Sequence, residues 1–225
     1  MRRLILPLTF GILGTAILLS LGSWQVRRLA EKENLLAQID QQIAAEPVAL
    51  PMELDSEADK FLAVTAEGQI TEDEIHVLAS TRDTGAIYRV IAAFETTEGR
   101  RILLDRGWVY PPDKDTKRPA VKTIVQGNLH WPQEVDSYTP ENDMKANIWF
   151  ARDVPTLAKE LNTEEVLIVV RSTTEKDTLV TPLPVASAGI PNDHLQYAVT
   201  WYGLAAVWVM MTLYYLRRMR KQQKV

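Results

Sequence analysis

The chain holds three histidines and no cysteine, so a conventional zinc or iron centre needs at least two of His76, His130 and His194 to converge. No spacing argues for that, and His76 and His130 read as surface or edge residues at strand ends. His194 is different. It stands at the head of the uncharged run 195–216, and on a helix of about 100° per residue Ala198, Trp201, Ala205, Trp208 and Thr212 fall within about 40° of it. Alanines that leave room, tryptophans that offer faces and one imidazole nitrogen together suit a flat ligand with an axial iron. The same stripe also suits plain helix packing with interfacial anchoring, and the residues alone leave both open.

Two apolar runs must position that histidine. Residues 4–26 and 195–216 carry no charge and meet the roughly 20 residues needed to cross about 30 Å of hydrocarbon. Arg2 and Arg3 followed by Ser20-Leu21-Gly22 also fit a cleaved signal peptide, but the apolar stretch exceeds the usual signal core and Trp24 suits an interfacial anchor. Arg217, Arg218, Arg220, Lys221 and Lys224 make 217–225 a basic tail, which the positive-inside rule places in the cytoplasm. Two spans then return the N-terminus to the same side. Arg27, Arg28 and Lys32 crowd the far end of the first span, against that rule. Trp24 and Gln25 would stand level with Asp193 and His194 if the spans pair, and Gln25 would then orient the imidazole through its second nitrogen.

Residues 27–193 form the segment outside the membrane. They hold all 29 acidic residues against 18 basic ones, a net charge of −11, which repels nucleic acid and anionic headgroups. Leu29, Leu35, Leu36, Ile39 and Ile43 predict a helical extension over 27–44, ended by Pro47 and Pro51. Within 61–185 short β-branched runs predict strands at 61–70, 75–80, 86–96, 101–109, 122–130, 166–172 and 178–185, with one helix at 154–161. The fold class is therefore membrane α+β, with two transmembrane helices packing together and enclosing an antiparallel, mostly β sandwich or barrel. None of G-x-S-x-G, H-E-x-x-H, G-x-x-x-x-G-K-[ST] or G-x-G-x-x-G occurs, so the common devices of catalysis are missing and a non-enzyme is expected.

Four segments resemble the Surf1 family of cytochrome c oxidase assembly factors. Leu21-Gly22-Ser23-Trp24-Gln25-Val26-Arg27-Arg28-Leu29 is similar to its L-G-x-W-Q-x-x-R-L run, Arg106-Gly107-Trp108-Val109 to its R-G-W-V, and Asn147-Ile148-Trp149-Phe150-Ala151-Arg152-Asp153 to its N-x-W-F-x-R-D. Asn192-Asp193-His194-Leu195-Gln196-Tyr197-Ala198-Val199-Thr200-Trp201-Tyr202 resembles its N-x-H-L-Q-Y-A-x-T-W-Y. Departures are Asp193, where an uncharged residue is usual, and Ile91-Ala92-Ala93-Phe94, which lacks a proline.

The resemblance implies a cytochrome c oxidase assembly factor of the bacterial type. It implies haem a bound transiently, His194 as axial ligand to the haem iron, and Trp24, Gln25, Ala198 and Trp201 lining the site. The implied partners are the catalytic subunit of the oxidase and haem a synthase. Arg106, Gly107 and Trp108 are expected to support the fold or a partner surface. With the span starting at the fourth residue, the expected location is a bacterial cytoplasmic membrane with a periplasmic central domain. A scaffold that binds the oxidase subunit without touching haem is the alternative.

Overall fold

The computed structural model describes residues 2–81, 84–176 and 178–222. They form two compact units, a helical one from Met1–Gln38 with Ser187–Val225 and a sheet domain from Ile39–Ala186.

The helical unit is built from α1 (Arg2–Ile43) and α3 (His194–Gln222). Helix α1 is continuous through the predicted span and the predicted extension, since nothing between Leu8 and Ile43 breaks a helix except tolerated glycines. Both helices are long and apolar enough to cross a membrane. Leu6 is 79 % exposed and Met210 61 %, and an apolar surface of that extent is stable against lipid rather than water. This is a membrane protein.

The sheet domain contains β1 (Val48–Ala49), β2 (Ala63–Thr81), β3 (Gly85–Thr96), β4 (Arg101–Val109), β5 (Val121–Leu129), α2 (Val154–Leu161) and β6 (Leu167–Thr173). The order β1-β2-β3-β4-β6-β5 closes on itself because β2 also pairs with β5, so the long strands have few open edges. The sheet is mixed: β4–β6 and β1–β2 are parallel, the other pairings antiparallel. Strand β2 runs unbroken through Glu72-Asp73-Glu74, the gap between the strands expected at 61–70 and 75–80, where the polar residues read as a turn. It carries a bulge between Ile70 and Glu74 instead. The strand expected over 178–185 is reduced to one bridge, Trp108 to Thr181.

The strands carry near-continuous apolar runs because both faces of the sheet are covered. Val64, Ile70, Ala92, Phe94, Ile102, Leu104, Val125, Ile168 and Val170 fill the interior. Their alternates Ile91, Ala93, Leu103, Leu167 and Val169 meet Trp149 and the Val154, Leu157, Ala158 and Leu161 face of α2 outside. Helix α2 starts after Asp153, whose carboxylate accepts the Thr156 hydroxyl, and stops at Asn162 in the left-handed region (φ 50°).

The family-like segments in this domain hold it together. Asp105 is fully buried and accepts Arg89 Nε at 2.8 Å and Arg152 Nη1 at 3.3 Å. Gly107 sits at φ +125°, and a Cβ there would fall 2.6 Å from the Thr181 carbonyl carbon. That close approach lets Trp108 exchange backbone hydrogen bonds of 2.8 and 2.9 Å with Thr181. The Asn147 amide donates to the Glu74 carbonyl oxygen at 2.9 Å.

Candidate functional site

The helix pair closes by small residues meeting large ones. A Cβ on Gly14 would lie 2.5 Å from the Trp208 indole, and one on Gly22 would lie 2.8 Å from the Tyr202 ring. The Trp208 indole N–H donates to the Gly11 carbonyl oxygen at 3.1 Å, and Ser23 and Tyr202 share a hydroxyl hydrogen bond of 3.1 Å. Along α3 the seam residues recur every seven, Ala198, Ala205 and Thr212, as do Gly11, Leu18 and Gln25 along α1. A seven-residue recurrence with glycines at the contact is the pattern of close helix pairs in membranes.

At one end of this seam, Gln25 Oε1 accepts a hydrogen bond from His194 Nδ1 at 2.8 Å. Gln25 is buried, with 8 % of its surface exposed, and His194 is half-buried as the first residue of α3. A carbonyl oxygen only accepts, so Nδ1 carries the proton and the neutral ring keeps its lone pair on Nε2. Among the described residues, Nε2 has no protein partner. A buried amide fixing one ring nitrogen while the other is left open is the arrangement that metal-binding histidines use.

The faces of the pair follow from its contacts. Ser23 and Tyr202 mark one side, and Phe10 against Trp208, with ring centroids 5.4 Å apart, marks the other. By helical counting Trp24 lies within about 40° of Phe10 on α1, and Trp201 within about 20° of Trp208 on α3. Trp24 and Trp201 therefore share the Phe10–Trp208 side. Trp24 is 47 % exposed and Trp201 half-buried. By the same counting His194 leans to that side of the seam, the side that carries Trp24 and Trp201.

Ala198 departs from expectation. It was to leave room for a flat ligand, but only 2 % of its surface is exposed, because its missing bulk lets α1 approach. The stripe below His194 is largely the packing seam, and Trp24 and Trp201 lie beside it rather than in it. Glycines 11, 14 and 22 were the missed partners of that seam; their spacing against Ala198 and Ala205 was the available signal.

The other two histidines are committed elsewhere. His76 is buried rather than at the surface, its Nε2 3.0 Å from Glu74 Oε1 and 3.1 Å from Arg118 Nη2. His130 stacks on Phe61 at 5.3 Å. Burial, then the charges of Arg152 and Lys60, push its pKa down to about 4. No group of three or more His, Asp or Glu side chains suited to a metal occurs among the described residues.

The family model described as SURF1 family matches residues 12–206, spanning Gln25, the whole sheet domain and His194. The chain belongs to the SURF1 family. A SURF1-like protein of Rickettsia felis is 31 % identical over 212 residues, covering 89 % of this chain and 92 % of that protein. One of Rickettsia prowazekii is 31 % identical over 225 residues, covering 93 % and 90 %. Surfeit locus protein 1 of Rattus norvegicus is 26 % identical over 210 residues, covering 83 % of this chain and 68 % of the rat protein.

Proposed function

We propose that this SURF1 family member is a cytochrome c oxidase assembly factor that holds haem a at the Gln25–His194 end of its helix pair and delivers it to the oxidase catalytic subunit. The observation that carries the reading is the free Nε2 of His194, left open by the Nδ1 hydrogen bond to Gln25 at 2.8 Å. Haem a is cargo here, and its iron accepts an axial imidazole nitrogen. His194 presents that nitrogen, Gln25 fixes the tautomer and ring direction, and Trp24 and Trp201 offer flat faces on the same flank. Among the residues first expected to line the site, Ala198 acts through the seam by letting the helices close.

The cationic tail 217–222 supports a cytoplasmic C-terminus, and in this reading both termini are cytoplasmic and the sheet domain periplasmic in a bacterial cell. The protein carries a cofactor rather than transforming one, receiving it from haem a synthase. A scaffold that never touches haem is the competing reading, favoured by the closed seam at Ala198 and Ala205. Absorption spectra of full-length protein, produced together with the enzymes of haem a synthesis, separate the two. Bound haem a in the wild type and its loss in His194→Ala is the expected result. Equal pigment in both proteins, or none in either, refutes the ligand assignment.

A further inference from the structure

Three cations, Arg27, Arg28 and Lys32, stand just past the first span on the side where the positive-inside rule disfavours them, and neither topology nor packing accounts for them. Their directions differ. Arg28 follows Phe10 by eighteen residues, which is five full turns, so it points to the same side as Phe10, Trp24 and Trp201. Lys32 falls about 40° from that direction, while Arg27 points about 160° away from Gln25. Arg28 and Lys32 thus stand on the side of the seam to which His194 leans by the same counting, about 4.5 Å and about 10 Å further along the axis than Gln25, away from the hydrocarbon.

Arg28 is only lightly engaged. Its Nη1 meets Glu31 Oε2 at 2.8 Å with both side chains more than half exposed, an ion pair weak enough to exchange for a better anion. Lys32 is half-buried and makes no ion pair among the described residues.

Resting on the haem reading, we infer that Arg28, assisted by Lys32, is the subsite for the carboxylate edge of the porphyrin. A porphyrin held by an imidazole at the membrane boundary turns its apolar edges to lipid and its two propionates to water, because a carboxylate in hydrocarbon is prohibitively costly. The propionates then meet Arg28, which by the same count lies about 40° from Trp24 on α1. Arginine is the residue type that grips a carboxylate through two parallel N–H donors.

Titration of detergent-solubilised full-length protein with ferric protoporphyrin IX, and separately with its dimethyl ester, tests this. The expected result is that Arg28→Gln weakens the free acid by about tenfold and leaves the ester unchanged, as loss of a charge-assisted contact requires. Arg28→Lys recovers part of the loss, and Glu31→Gln tightens the acid by removing a competing carboxylate. Equal effects of Arg28→Gln on acid and ester, or no effect on either, overturn the subsite while leaving His194 as ligand. A wild type that takes up neither porphyrin overturns the haem reading and the subsite together.

Discussion

Replacing Gln25 by Leu keeps the side chain's volume and removes the acceptor that holds His194. The hydrogen bond is 2.8 Å long and Gln25 is 8 % exposed, so water cannot readily take the amide's place. A bond between neutral groups contributes about 1 kcal/mol net, and orienting partners of metal-bound histidines typically account for about 10- to 100-fold in affinity. Gln25→Leu should therefore weaken ferric porphyrin binding by about tenfold, or about 1.4 kcal/mol. Gln25→Glu points the other way. A carboxylate facing Nδ1–H strengthens the bond and makes Nε2 a better donor, which favours the ferric state and lowers the midpoint potential of the bound haem. Porphyrin titration gives the first quantity and spectroelectrochemistry the second. Wild-type affinity in Gln25→Leu, or a raised potential in Gln25→Glu, would refute the second-nitrogen argument.

Gly22→Leu, by driving a side chain into the Tyr202 ring 2.8 Å from its Cβ position, should part the helices one turn from His194 and reduce porphyrin uptake at least as far as Gln25→Leu, measured in the same titration. Asp105→Asn leaves Arg89 and Arg152 facing a neutral amide at a fully buried position. Its cost of about 3–5 kcal/mol, a large part of a domain's usual stability, should appear as a markedly lowered denaturant midpoint of the sheet domain. His130 titrates near 4 when folded against 6.5 ordinarily, so as pH falls the unfolded chain takes up this proton first. Stability is thereby lost between 6.5 and 4 and levels off below. His130→Asn removes that loss, and the stability gap between wild type and variant should narrow over this interval; a constant gap contradicts the assignment.

Much of the candidate site was legible in sequence because membrane helices obey simple counting. Uncharged runs fixed the spans, and a shared depth for Gln25 and His194 followed from the spans pairing. The seam was harder. Glycines at 11, 14 and 22 carry no signal of their own until a partner helix is known, so Ala198 was read as making space for a ligand when it makes space for α1. In the sheet domain, the polar run Glu72-Asp73-Glu74 between two expected strands resembled a turn because a bulge and a turn use the same residues. The parallel β4–β6 pairing was hidden for another reason. It depends on a long crossover through α2, and alternation within a strand says nothing of the direction of its neighbour. The closing β2–β5 pairing was equally invisible, although continuous apolar runs such as Leu167–Val170 are the pattern of strands covered on both faces.

The central claim is that Nε2 of His194 is an iron ligand, and nitrogen hyperfine coupling measures it directly. Electron–nuclear double resonance on the ferric porphyrin complex, prepared from protein labelled with 15N-histidine, should show a coupling that changes with the label and disappears in His194→Ala. A spectrum indifferent to the label, or a histidine coupling that survives in His194→Ala, would contradict it.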